Sequence, residues 1–181
     1  MRMKITLLVM CLALTGCAIA TPHYNLLTER DNPEIAVRIF DVRGAEGKHT
    51  VNSDFGTLFA QYLAADLQGA GYQAMVVNKD SDVAKLRYVV EGKFDQIEGG
   101  SRAMRFWVGM GTGAARMTIS FKVMRIADNN VVGVITDTAS ALTNRSEETC
   151  FARILVKMAN DFSEKIVLMI KTDEQVSPKT K

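Results

Sequence analysis

The chain has 181 residues, with 22 basic and 20 acidic side chains, so its net charge is close to zero. That balance excludes the basic footprint of a nucleic-acid binder and a polybasic membrane-surface patch. Two histidines and three cysteines are too few for a clustered His/Cys zinc site, and no metal or cofactor is expected.

The chain opens with a short positive head, Met1-Arg2-Met3-Lys4. An apolar run from Ile5 to Leu14 follows, then the small residues Thr15 and Gly16 just before Cys17. This is the layout of a secretory signal. The run is shorter than the roughly 20 apolar residues of a permanent membrane helix. Ala18-Ile19-Ala20, which has the small-residue pattern of an ordinary cleavage site, lies past the cysteine. Leu14-Thr15-Gly16-Cys17 resembles the bacterial lipoprotein box. The resemblance implies cleavage between Gly16 and Cys17, transfer of a diacylglyceryl group to the Cys17 thiol, and acylation of the new amino terminus, as with palmitate. One acyl chain anchors only marginally, whereas two or more hold stably. Ala18 is not the Asp that resembles an inner-membrane retention signal in enteric lipoproteins. The implied destination is therefore the outer membrane, with the domain facing the periplasm.

Without residues 1–16 the chain is formally neutral, since Arg2 and Lys4 leave with the signal. Residues 17–33, with Pro22 and Pro33, read as a lipidated tether whose reach is at most about 50 Å. Residues 34–171 read as a single domain, and the polar residues 172–181 as a flexible tail. Cys11 leaves with the signal and Cys17 is acylated, which leaves Cys150 as one thiol in an oxidising compartment. It is expected to be buried and inert, packed as a small hydrophobe.

Within the domain, "IAVRIFDV" (35–42) alternates apolar and polar residues and predicts a strand. Asn52 or Ser53 is a candidate cap for a helix with Phe55, Leu58, Phe59, Tyr62, Leu63 and Leu67 on one face, ended by Gly69 and Gly71. Residues 72–77 and 86–98 predict two further strands. "ARMTISFKVMRIA" (115–127) is the strongest strand pattern, with Met117, Ile119, Phe121, Val123 and Arg125 on one face. Asp128-Asn129-Asn130 is a tight turn, and residues 131–142 return as its hairpin partner. Residues 146–170 predict a long helix burying Phe151, Ile154, Leu155, Met158, Phe162, Ile166 and Ile170. Glu147 and Glu148 fall in its first turn, where negative charge suits the helix dipole. The order β-α-β-β-β-β-α, with two amphipathic helices, predicts an α+β fold. Two layers are expected: two helices on one face of a mostly antiparallel sheet of about five strands. The other face carries Arg and Lys and is left to water or a partner.

One stretch stands out. Gly109, Gly111 and Gly113 alternate in residues 99–123, flanked by Arg102, Arg105 and Arg116. No phosphate-loop pattern G-x-x-x-x-G-K-[ST] occurs, and the glycine spacing misses the dinucleotide fingerprint. At strand spacing the three glycines share a face with Trp107, which predicts close backbone packing or a bulge. Arg102 and Arg105 are the candidate contacts for an anion or a partner. The residues Gly100-Ser101-Arg102, Arg105, Gly109-x-Gly111-x-Gly113 and Asp128 in the next turn resemble a family of uncharacterised bacterial lipoproteins. Its domain is one of unknown function, four-four-one-zero in that series. Asn129-Asn130 stands where that pattern often has Thr-Gly. The resemblance implies a location and a fold and no catalytic residue.

No nucleophile elbow G-x-S-x-G is present. Asp95 and Glu98 are a carboxylate pair of the kind common on solvated strands. The first functional expectation is a non-enzymatic envelope lipoprotein, an accessory or scaffold bound to the membrane through Cys17 and to another envelope protein. The alternative is a small-ligand or anion binder, or an enzyme, using the Arg-Gly stretch 100–116.

Overall fold

The computed structural model describes residues 35–46, 54–79, 81, 83–99, 114–141 and 147–176. The strands are β1 (Ile35–Arg38), β2 (Ala74–Val77), β3 (Tyr88–Glu98), β4 (Ala115–Arg125) and β5 (Asn130–Ala141). The helices are α1 (Asp54–Gly69), between β1 and β2, and α2 (Glu147–Val176), after β5. The element order is the predicted one, and the fold is α+β.

The sheet is mixed, with strand order β2-β1-β3-β4-β5. Most of its paired residues are antiparallel, as expected, but the pairing of β1 is not. β1 pairs parallel with both β2 and β3, and only β3–β4 and β4–β5 are antiparallel. The cause is the connection. A helix between two neighbouring strands carries the chain back to the same end of the sheet, so β1-α1-β2 is a parallel crossover. A short turn after Arg125 instead forces β4 and β5 antiparallel. In that turn Asn129 adopts a φ of 52°, a left-handed conformation that Asn tolerates far better than most residues other than Gly. Asp128 accepts hydrogen bonds from the Arg125 guanidinium and the Asn130 backbone N–H.

Both helices lie on one face of the sheet. α1 buries Gly56, Phe59, Ala60, Leu63, Ala64 and Leu67. The predicted stripe was turned slightly: Phe55 and Tyr62 are half-buried and Leu58 is exposed. The reason is close approach. Small residues, Gly56 and Ala60, let the α1 backbone sit against the Phe40 segment, so the burial axis runs through them rather than through Leu58. α1 ends in a Schellman motif, with Tyr72 N–H donating to the Leu67 carbonyl at 3.0 Å and Gly71 N–H to the Gln68 carbonyl at 2.9 Å. Gly71 takes the required positive φ of 90°.

α2 buries every residue of its predicted face. Cys150 is also buried. The core is continuous through Phe40, Phe59, Phe94, Phe121 and Phe162, which pack mostly edge to face. The helix runs on to Val176, past the expected start of a flexible tail at residue 172. Asp173 explains the extension. It accepts hydrogen bonds from the Tyr88 hydroxyl at 3.0 Å and from Arg125 Nη1 at 3.0 Å, which fastens the last turns to β3 and β4. Burial and the bond to Asp173 push the Tyr88 hydroxyl up to about 12.

β1 is shorter than the predicted 35–42 strand. After Arg38 the chain bends so that Phe40 drops into the core over Gly92, and pairing resumes as isolated bridges, Asp41 to Lys93 and Glu46 to Gln96. Among the described residues, no helix covers the opposite sheet face. A small apolar cluster of Ala36, Val77 and Val89, with Val83, Leu86, Met124 and Ile126 against it, covers one end.

Candidate functional site

The predicted contact residues Arg102 and Arg105, the glycines Gly109, Gly111 and Gly113, and the anchor Gly16-Cys17 lie outside the described residues. Asp95 and Glu98 do not form a working pair. Asp95 is held by Lys93 Nζ at 2.8 Å, and Glu98 accepts from Gln96 Nε2 at 2.7 Å. Among the described residues, no group of three potential metal ligands comes together and no helix is long and apolar enough to cross a membrane.

The structure assembles a different feature: a groove of about 410 Å³ on the open sheet face. The strand register builds it. Glu91 of β3 pairs with Lys122 of β4, and Lys122 with Val134 of β5, so these side chains stand on the face away from the helices. Arg38 reaches in from the end of β1, and Lys79 from just beyond β2. The Glu91 carboxylate is gripped from both sides, by Arg38 Nη1 at 3.1 Å and Lys122 Nζ at 3.0 Å. Arg38 Nε is buried with no hydrogen-bond partner among the described residues. Ile39, Gly92 and Phe121 line the groove as well.

Asp41 closes one end. Arg43 grips it through its backbone N–H at 2.9 Å and its guanidinium at 3.1 Å, and these hydrogen bonds hold the Asp41 carboxyl down to about 2. Three other carboxyls also sit below the usual range. Asp128 is held there by Arg125, and Asp137 by Lys165. Asp95 is there because hydrogen bonds from Lys93 and Ser120 outweigh its burial. The sign of the linkage follows. A carboxyl lowered in the folded state contributes stability above its unfolded value near 3.9, and that stability is lost as pH falls through the folded value. The chain is therefore expected to lose stability between about pH 4 and pH 2. Each pair is half-exposed, so each contributes little. Urea midpoints measured from pH 6 to pH 2 check this. Asp41→Asn should flatten the acid limb, and a profile unchanged by that substitution would contradict the assignment.

Sequence reading missed the groove because its members come from five separate segments. Each alone reads as a charge on a solvated strand. The signal that was available was Arg38, Glu91, Lys93 and Lys122, all at outward positions of the predicted strands.

Comparison with solved structures relates the fold to known proteins. The chain is similar to a protein from Xanthomonas campestris of family DUF330, at a TM-score of 0.57 and 11% identity, covering 79% of this chain and 88% of that one. It is similar to PelC from Paraburkholderia phytofirmans, a dodecamer, at a TM-score of 0.50 and 14% identity, covering 72% and 89%. A slighter likeness, with a TM-score of 0.44 and 13% identity over 73% and 99%, is to lipoprotein GNA1162 from Neisseria meningitidis. At these identities the likeness is one of fold alone. No curated protein matches the chain. The Gly100–Asp128 pattern lies within the span that matches a family model, residues 25–144. On that match the chain belongs to the family defined by a domain of unknown function, DUF4410.

Proposed function

We propose that the chain is a lipoprotein of the bacterial envelope, anchored by an acylated Cys17 in the outer membrane and facing the periplasm. Its domain acts there as a non-enzymatic accessory that binds another envelope component. The observation that carries this reading is the N-terminal sequence: positive head, short apolar run and Leu14-Thr15-Gly16-Cys17, followed by a short tether and one domain. The domain supports it through its surface. The open sheet face presents charged side chains largely tied into ion pairs, a surface suited to recognition.

The test is fractionation with fatty-acid labelling. Cys17→Ser is expected to abolish both label and membrane retention, and Ala18→Asp to move the protein to the inner membrane. A Cys17→Ser chain that still takes up label and pellets with membranes would overturn the anchor. Crosslinking in native membranes, followed by capture of the wild-type chain, is expected to recover an envelope protein. Recovery of the chain alone would speak against an accessory role.

A second reading, self-association, is favoured by β5. This edge strand offers twelve residues with a single charged side chain, Asp137, and exposed Val131 and Val134. Unpaired edges of this kind template pairing, and PelC, which shares the fold, is a dodecamer. Analytical ultracentrifugation separates the readings: a monomer at micromolar concentration excludes this one.

A further inference from the structure

We infer that the groove on the open sheet face is a binding site for a small amphipathic anion, one phosphate or carboxylate head on an apolar chain. The inference goes beyond the envelope reading and does not depend on the anchor.

The charge balance comes first. Among the described residues the lining carries four cations, Arg38, Lys79, Lys93 and Lys122, against two carboxylates, Asp41 and Glu91. Two of these charges are already neutralised by neighbours, Lys93 by Asp95 and Asp41 by Arg43. What remains is Arg38 and Lys122 sharing one carboxylate, plus Lys79. The groove therefore holds an excess of about two positive charges facing a concave surface, where low-dielectric walls strengthen attraction for an anion. Arg38 lines the groove with its Nη1 on Glu91, a contact that an anionic head group can compete for. A guanidinium presents its donors as a fork suited to carboxylate or phosphate oxygens.

The apolar part is equally specific. Val134, 66% exposed, stands directly across from Lys122 at the groove rim. Ile39, Gly92 and Phe121 add uncharged lining. A volume of about 410 Å³ falls within the range of small-ligand sites. A head group at Arg38, Lys79 and Lys122 with its chain running toward Val134 satisfies both halves. Glu91 becomes the competitor that the head group partly displaces.

This makes a prediction of unusual sign. The full chain carrying Cys17→Ser is titrated with dodecyl phosphate below its micelle concentration by calorimetry. Saturable binding of one molecule per chain is expected, with no measurable binding of inorganic phosphate or of uncharged dodecyl maltoside. Glu91→Gln should tighten binding about tenfold, because it releases two cations to the ligand. Lys122→Ala and Val134→Glu should each weaken it about tenfold. Val134 is exposed, so its variant tests the site without disturbing the core, and cooperative melting of each variant confirms its fold. The proposal is overturned if the folded wild-type chain shows no saturable binding, or if Glu91→Gln leaves affinity unchanged or lowers it. It is overturned in favour of a simple anion site if inorganic phosphate binds as tightly. It is overturned in favour of a membrane contact if only anionic-lipid vesicles bind and the monomeric probe does not.

Discussion

Replacing Phe162 with Ala is expected to destabilise the domain by about 3–5 kcal/mol, the range for removing a buried aromatic from a packed core. Phe162 is fully buried in the middle of α2. Its ring meets Phe59 of α1 at 5.7 Å and Phe121 of β4 at 4.6 Å between centroids, so it joins both helices to the sheet. Backbone elements fix those neighbours on three sides, which limits how far the site collapses around the void. Domains are stable by only about 5–15 kcal/mol, so the variant should be near the edge of folding. Urea unfolding of the Cys17→Ser chain measures it, with Leu168→Ala as the control. Leu168 lies on the exposed face of the same helix and its loss should change stability by less than about 0.5 kcal/mol. Equal effects at the two positions would contradict the packing described.

Gly56→Ala is expected to cost about 2 kcal/mol, despite the better helix propensity of Ala. A methyl group at Gly56 would run into the Phe40 carbonyl oxygen. That obstacle is backbone and cannot rotate away. Moving it disturbs Asp41 N–H on the Gly92 carbonyl at 3.0 Å and Phe94 N–H on the Asp41 carbonyl at 2.8 Å, the bonds that carry the chain along β3 after β1 ends. For a chain of this size the loss corresponds to roughly 4–8 °C in melting temperature. An unchanged or raised melting temperature would mean that α1 and the Phe40 segment are not in close contact.

These two positions also mark what the sequence reveals and what it hides. α2 was legible to the residue, because twenty residues of 3.6-period spacing leave one consistent apolar stripe. Its last turns were not, since the polar run after Lys171 gives no hint that Asp173 will meet Tyr88 and Arg125. α1 was legible as a helix but not in its rotation. Leu58 looked like a core residue, whereas Gly56 and Ala60, small and weak in any hydrophobic pattern, are the buried ones, Gly56 against the Phe40 backbone. The hairpin β4–β5 announced itself through alternation and Asp128-Asn129-Asn130. The parallel pairing of β1 followed from the intervening helix, yet two strands of four residues each carry too little pattern to declare their neighbours. The groove depends on register among β1, β3, β4 and β5 and on where the chain leaves β2, which no local pattern encodes.

The proposed anchoring of this domain to a membrane through Cys17 is read out by mass spectrometry of the protein extracted from native membranes. An N-terminal peptide beginning at Cys17 is expected, carrying a thioether-linked diacylglyceryl group and an amide-linked acyl chain, with Ala18 next. An unmodified cysteine within an uncut chain, or a mature terminus beyond Ala20 with no lipid, would contradict it.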